Sequence, residues 1–373
     1  MSRSGALGAR LLISTNQERL APGQVRAGFP LAGLAGRPVA ARLGKTPVRF
    51  NVPPMRVRPI DEEVIAALLR FHARGERSVL VTLIHVDGSA PRPVGSQIAV
   101  SESGEAVGYI TGGCAEAAFA AEAIDALRAG KARQRRYGAG SPYLDVKLPC
   151  GSGVDVHFAV DPRAAIISAI AERLSARKPA FLEIDLRSGE LSLHGEAAAR
   201  ADRDGVFVRP YSPRIRLEIV GKGPVVRALA RAGAATGYEI NVVSPERETI
   251  SAVADCADTV RRLSKPEEYA PAFVDARTAA AVLFHEHDWD PPVIAALLAS
   301  PCFYIGALGS RKTHARRLDE LRARGVCEEA LETVNGPIGV DIHAKTPEEI
   351  AISILAEIIE AARSDGAGAR WRR

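Results

Sequence analysis

Apolar positions recur every three to four residues from Asp61 onward, where Val64, Ile65, Leu68, Leu69 and Phe71 share one face and Asp61 stands at the place of an N-cap. The pattern then changes to a continuous β-branched run, Ser78–Val86, which predicts a buried strand. A turn-rich stretch, Gly88-Ser89-Ala90-Pro91-Arg92-Pro93-Val94-Gly95, separates it from a predicted hairpin of Gln97–Val100 and Ala106–Ile110 around Ser103-Gly104. A helix is predicted over Ala115–Ala129, a strand over Val154–Val160 and a helix over Ala164–Leu174. A second hairpin follows over Pro179–Leu186 and Glu190–His194, and Arg209-Pro210-Tyr211-Ser212-Pro213 reads as a linker.

Beyond that linker the rhythm is different. Arg216–Val220 is a short buried-type strand. It runs into Gly221-Lys222-Gly223, a helix over Val225–Thr236 and a strand over Glu239–Val243. Strand, glycine turn, helix, strand is the opening unit of a doubly wound sheet. Ala279–Phe284 and Phe303–Gly306 predict further strands, and Pro337–Ile342 a last strand or loop. Thr346-Pro347-Glu348-Glu349 starts a helix that runs to Ala362, with the cap, the proline and the acids each where a helix N-terminus uses them. The expected fold class is therefore α/β: a mixed α+β region over residues 55–210 followed by a Rossmann-like, doubly wound parallel sheet over 211–373.

Charge changes the picture at one end. The formal net charge is +5, but residues 1–54 hold eight basic residues against Glu18 alone, which leaves the rest slightly acidic. The high isoelectric point is thus no sign of nucleic-acid binding. This basic segment lacks helical or strand periodicity and reads as an extension. An organelle transit peptide fits it, and so does translated upstream sequence, since Met55 directly precedes the first patterned segment; the second is favoured because the segment lacks a clear amphipathic helix. Five cysteines, an odd number in 373 residues, do not suggest a disulfide framework, so a reducing, cytoplasmic compartment is expected. No apolar run reaches the ~20 residues of a membrane helix.

Two glycine-flanked cysteines carry the candidate chemistry: Gly112-Gly113-Cys114-Ala115-Glu116 and Pro149-Cys150-Gly151-Ser152-Gly153. Glycines let successive N–H groups form a nest for an anion, and a helix N-terminus after Cys114 adds a positive dipole end. A soft sulfur ligand beside an anion cradle suits a phosphate-bearing metal cofactor. A free cysteine that simply packs is the plainer alternative. Arg92, on a stiff loop, has the planar fork that pairs with phosphate, although a solvated arginine fits as well. Glu116 is expected to complement the helix dipole. In the second half, Gly221, Lys222 and Gly223 form one candidate phosphate turn. Val226 stands at the third glycine of a dinucleotide fingerprint, and Ser244 where an acid is expected. Gly309-Ser310-Arg311-Lys312 is the better anion candidate, because it adds two cations to a glycine-to-helix turn. His285, His287 and Asp288 are a candidate metal group at the end of a strand.

Taken together and in order, these motifs resemble the XdhC/CoxI family, the accessory proteins of molybdenum hydroxylases such as xanthine dehydrogenase and carbon monoxide dehydrogenase. The resemblance rests on Gly88–Gly95, Gly112–Glu116, Pro149–Gly151, Tyr304–Lys312, Pro337–Ile342 and Thr346–Ala351, and spans about Ile60 to Ala362. It implies a chaperone that binds molybdenum cofactor, protects it while a cysteine desulfurase partner installs its terminal sulfur, and inserts it into an apo molybdenum hydroxylase. It also implies a homodimer or higher homo-oligomer, with no nucleic-acid or membrane partner. On this reading Arg92, Gly112 and Gly113 hold phosphate or pterin. Cys114 and Cys150, with Gly151, sit near the molybdenum, Cys114 as its tentative ligand, and either cysteine ligates the metal or relays sulfur. Gly221, Lys222, Gly223, Gly309, Ser310, Arg311 and Lys312 hold a phosphate or nucleotide portion, the cofactor's mono- or dinucleotide form being open. Departures are Thr111 at the first of three usual glycines, Lys222 within the usual Gly-Ala-Gly turn, Ser244 for the usual Asp, and Phe284–Asp288 in place of the usual Thr-His-Asp. An accessory factor is expected rather than a turnover enzyme. The alternatives are an NAD(P)-type oxidoreductase built on the Rossmann half and a metal-dependent hydrolase centred on His285 and His287.

Overall fold

The computed structural model describes residues 60–90, 92–141, 148, 151–195, 205–284 and 288–363. Residues 1–54, Pro149, Cys150, His285 and His287 lie outside these described residues.

The first half is built on a five-stranded sheet of β1 (Ser78–Asp87), β2 (Gln97–Ser101), β3 (Ala106–Gly108), β4 (Arg133–Gly138) and β5 (Gly153–Val160), ordered β3-β2-β1-β5-β4 and antiparallel throughout. β1 is central, which is why its first six residues are buried on both faces and read as a continuous apolar run. One face carries α2 (Glu116–Ala129) over Val81, Val154, Val156 and Phe158. The other carries α1 (Ile60–Ala73) and α3 (Ala164–Ser175), which share a core with Leu80, Ala99 and Ala159. α1 begins at Ile60, so Asp61 lies within its first turn, and its carboxylate takes Arg209 rather than capping the helix.

A three-stranded antiparallel sheet, β6 (Ala180–Asp185), β7 (Leu191–His194) and β8 (Val206–Tyr211), closes over the α1/α3 side. β8 corrects the linker expected at Arg209–Tyr211. Pro210 disguised it, but β8 is an edge strand, where a missing N–H is tolerated. Tyr211 is buried, and its hydroxyl donates to Gln97 Oε1 at 2.6 Å.

The second half is a six-stranded parallel sheet: β9 (Arg216–Gly221), β10 (Glu239–Ser244), β11 (Thr259–Arg262), β12 (Thr278–Leu283), β13 (Tyr304–Ala307) and β14 (Val334–Asn335). Their order, β11-β10-β9-β12-β13-β14, is 3-2-1-4-5-6 when counted within the sheet, the doubly wound arrangement whose switch point lies between β9 and β12. α4 (Pro224–Ala235), α5 (Arg247–Val253) and α9 (Pro347–Arg363) cover one face, over Leu217, Ile219 and Val242. α6 (Asp290–Leu298), α7 (Arg311–Ala323) and α8 (Glu328–Leu331) cover the other, over Val220 and Val282. The last strand is the short Val334–Asn335, and Pro337–Ile342 follows it as loop. α9 starts with a reciprocal cap: Lys345 and Thr346 N–H donate to Glu349, while Glu349 N–H donates to Thr346 Oγ1.

Glu218 stands in the middle of β9, 3% exposed, and accepts from the Tyr269 hydroxyl at 3.2 Å. Burial pushes its carboxyl above the usual range, against hydrogen bonds from Asn241 and Tyr269 and the pull of Arg261 and Arg216. The fold therefore favours the neutral acid. Its contribution is fully present below the unfolded pKa and is lost as pH rises through the folded one. Glu218→Gln keeps the shape without the charge. Its thermal midpoint is expected to gain on wild type as pH rises above the ordinary carboxylate range, because the variant has no proton to lose. A variant whose deficit is the same at every pH would contradict this.

The halves meet through Arg177, just past α3, at a left-handed φ of 56°. Its guanidinium donates to both Asp275 oxygens, to Glu239 Oε2 and to the Arg214 carbonyl. Burial works to raise the Asp275 carboxyl, but hydrogen bonds from Arg177 and Thr278 outweigh it and hold it at about 2. A cavity of about 400 Å³ lies beside this junction, lined among others by Glu62, Ile65, Leu69, Leu174 and Arg216. The residues that Arg177 engages stand at the amino ends of β9, β10 and β12, so the first half touches the parallel sheet at its amino edge.

Candidate functional site

The antiparallel register of the first sheet gathers three loops at one end. β1 ends at Asp87 opposite Gly153, where β5 starts, and β4 ends at Gly138 opposite the same Gly153. β3 runs parallel to β1 across β2, so Gly108 also points there. The stretches after β1, after β3 and between β4 and β5 therefore emerge side by side. They contain Arg92, then Gly112-Gly113-Cys114, then Gly151. Leu148, two residues before Cys150, packs in the same apolar cluster as Ile110 and Ala115 on either side of the first cysteine loop. Gly151 donates its N–H to the Leu148 carbonyl at 2.9 Å, and Ser152 lies against Gly88.

The loop before α2 is wound around a carboxylate of its own chain. Gly112 and Gly113 take φ of 73° and 109°, values that only glycine adopts readily, and this turns the surrounding N–H groups inward. They meet Glu116. Its Oε1 accepts from Ile110 N–H at 2.9 Å and Thr111 N–H at 2.6 Å. Its Oε2 accepts from the Thr111 hydroxyl at 2.7 Å, Gly113 N–H at 2.8 Å and Ala115 N–H at 3.2 Å. Burial alone would raise this carboxyl; the Thr111 hydroxyl and the backbone donors outweigh burial and lower it. Thr111 earns its place by a second bond, its hydroxyl accepting from Ala115 N–H at 2.9 Å.

Glu116 thus does more than complement a dipole: it is the anion of the nest. What the loop turns outward is different. Gly112, Gly113 and Cys114 are exposed, and a Cβ added at either glycine would meet nothing within 4 Å. Arg92 lies alongside, its guanidinium carbon 4.8 Å from the centre of the half-exposed Tyr109 ring, a cation–π contact that fixes a charge next to the loop. The chemistry on offer is an accessible thiol, a cation and open backbone, arranged on a rigid turn.

The carboxyl edge of the parallel sheet holds the other candidates. Gly221 is required by close approach, since a Cβ there would lie 2.5 Å from the Leu283 carbonyl oxygen. Gly223 donates its N–H to Thr249 Oγ1 at 2.9 Å, and the Thr249 hydroxyl in turn pairs with Glu246. A side-chain hydroxyl therefore already holds the donor that a dinucleotide pyrophosphate takes in this fold. Ser244, where an acid would reach a ribose, is buried and accepts from Glu246 N–H. Lys222 is half-buried beside this turn. The Gly309 turn is more open. Gly309 sits at φ 144°, and Ser310 caps α7 through Thr313 N–H, while Arg311 and Lys312 are exposed at the first turn of the helix. Below them Arg317 ties the turn down, donating to the Leu308 carbonyl at 2.6 Å and twice to Asp290 Oδ2.

The structure brings Arg92, Gly112, Gly113, Cys114 and Gly151 to one end of the antiparallel sheet, and Gly221, Lys222, Gly223, Gly309, Ser310, Arg311 and Lys312 to the carboxyl edge of the parallel sheet. Sequence reasoning missed the inward role of Glu116, the Thr249 contact to Gly223, and the Asp290–Arg317 pair. The nearest signal was the spacing of Thr111 and Glu116 around two glycines.

Comparison with known proteins agrees with this architecture. Residues 217–358 match the XdhC Rossmann domain, and residues 71–138 match the XdhC and CoxI family. The chain is 34% identical over 296 residues to the molybdenum cofactor insertion chaperone PaoD of Escherichia coli, covering 78% of this chain and 86% of that one. It is 25% identical over 329 residues to a probable xanthine dehydrogenase subunit of Bacillus subtilis, covering 76% and 93%. The crystal structure of a xanthine dehydrogenase from Bacillus halodurans superposes with a TM-score of 0.68 at 24% identity, over 82% of this chain and 97% of that one, a likeness of fold. With both halves of the fold matched in order, and a relative at this identity spanned over most of its length, the chain belongs to the XdhC and CoxI family.

Proposed function

We propose that this protein is a molybdenum cofactor insertion chaperone: it holds the cofactor as cargo at the Cys114 loop, shields it while a cysteine desulfurase supplies sulfur, and delivers it to an apo molybdenum hydroxylase. The observation that carries this reading is the exposed Cys114 thiol on a loop rigidified from within, beside Arg92, in a chain related to a chaperone of that name. A thiolate is a suitable soft donor to a thiophilic metal, and Arg92 suits the anionic part of a pterin phosphate. Cys150, which precedes Gly151 in the sequence, would supply a second thiol to ligate the metal or relay sulfur. Gly309, Ser310, Arg311 and Lys312 would hold a phosphate or nucleotide portion at a separate place, with the Gly221-Lys222-Gly223 turn less suited because Thr249 engages Gly223. A homodimeric or larger assembly in the cytoplasm completes the reading.

The test is made on protein co-expressed with an intact molybdopterin pathway, then acid-oxidised so that the fluorescent pterin released per chain can be counted. Wild type is expected to release a reproducible pterin signal. Cys114→Ala, with an unchanged circular dichroism spectrum, is expected to lose most of that signal and of cofactor delivery to the hydroxylase. A folded Cys114→Ala protein that delivers cofactor normally would refute the role.

A further inference from the structure

We propose that Glu116 is the positioning residue for Cys114: its carboxylate is the internal anion around which residues 110–115 close, and this closure holds the thiol at the outward tip. The proposal rests on the reading of Cys114 as the residue that meets the cofactor.

The two residues flanking Cys114 carry the argument. Gly113 N–H and Ala115 N–H both point at Glu116 Oε2, at 2.8 and 3.2 Å. With the amides on either side of it turned inward to one oxygen, Cys114 is the residue left on the outside, and it is exposed. Oε1 fixes the approach to the turn through Ile110 and Thr111. A side chain that only caps a helix accepts from one N–H, that of N2 or N3. Glu116 instead gathers four N–H groups and a hydroxyl, all from residues that precede it. No inward donor among these is left for an arriving phosphate. The loop accordingly presents sulfur, and the charge that meets an anion there is Arg92. Without Glu116 the donors would converge on an empty nest, which small external anions can enter.

Glu116→Ala, Glu116→Gln and Cys114→Ala are compared in full-length protein co-expressed with the pterin pathway. Residues that orient a metal-binding side chain typically change affinity about 10–100-fold when removed, so Glu116→Ala is expected to retain about 10–100-fold less pterin while staying folded. Formate, small enough for the vacated nest, is expected to restore part of that retention relative to chloride at equal ionic strength, and to do nothing for Cys114→Ala. Should the alanine variant fail to fold, Glu116→Gln, which keeps the acceptor oxygen at one position, is expected to show an intermediate loss. Wild-type retention in both Glu116 variants beside loss in Cys114→Ala would overturn the positioning role and leave Cys114 standing. A loss in the Glu116 variants that formate does not touch would mark a merely structural carboxylate and also overturn it. Normal retention in Cys114→Ala would remove the reading beneath the proposal.

Discussion

Asp290→Ala is expected to destabilise the protein by about 3–5 kcal/mol, the range for stranding one partner of a buried ion pair. Both side chains are almost fully shielded, Arg317 at 3% and Asp290 at 5% exposure. Asp290, the first residue of α6, accepts Arg317 Nε at 3.0 Å and Nη2 at 2.6 Å on one oxygen. Removing the carboxylate leaves a guanidinium under the sheet edge with the Leu308 carbonyl as its remaining strong acceptor. Arginine cannot shed its charge to escape. The double variant Asp290→Leu with Arg317→Met, which removes both charges and fills similar volume, is expected to recover most of the loss. Urea denaturation of the three proteins measures this directly. A single-variant loss under about 1 kcal/mol would mean that water follows the guanidinium inward. Because Leu308 immediately precedes Gly309, the same variant should loosen the turn that presents Ser310, Arg311 and Lys312, and weaken any anion held there.

That pair was invisible in the sequence for a physical reason. Asp290 and Arg317 are 27 residues apart on different helices, and no local period couples them. Elements with a strong period of their own were legible: β1, β5, β9, α4 and the capped start of α9 stand where their apolar patterns placed them. α5, β11, α6 and β14 were not. β11 is four residues long, Arg-rich and mostly exposed at the sheet edge; β14 is two residues long. α6 is apolar almost throughout, so it has no polar face to betray a helical period. Pro210 hid β8 at the edge of its sheet. Of the candidate site, the glycines and Cys114 were legible because glycine beside cysteine is a chemical statement in itself. The occupant of the nest was not, because which N–H groups converge depends on the φ angles of Gly112 and Gly113. The Thr249 hydroxyl on Gly223 is a tertiary contact of the same kind, 26 residues away.

Acidification should reveal a second hidden liability, in His157. This residue lies in the middle of β5, opposite Thr82 on β1 and Gln134 on β4, and is fully buried. Neither ring nitrogen has a hydrogen-bond partner among the described residues. Burial lowers its pKa to about 4, a fall that the negative charge of Asp185 only partly offsets. The sign follows from proton uptake. Between the unfolded pKa of 6.5 and the folded value of about 4, the unfolded chain binds a proton that the native chain refuses. Stability therefore falls as pH drops through that window and this contribution levels off below it. A shift of this size corresponds to about 3 kcal/mol lost between pH 7 and pH 4. The Asp275–Arg177 pair titrates lower, with Asp275 near 2, so its loss comes mainly below pH 4 and is separable. His157→Leu removes the titrating ring and keeps the site apolar. Its midpoint at pH 7 is free to move either way, but its decline from pH 7 to pH 4 should be shallower than wild type by about 3 kcal/mol. Parallel curves for the two proteins in chemical denaturation followed by circular dichroism would show that His157 is protonated in the native state, and that the interior between the first sheet and the β6–β8 sheet admits water to it.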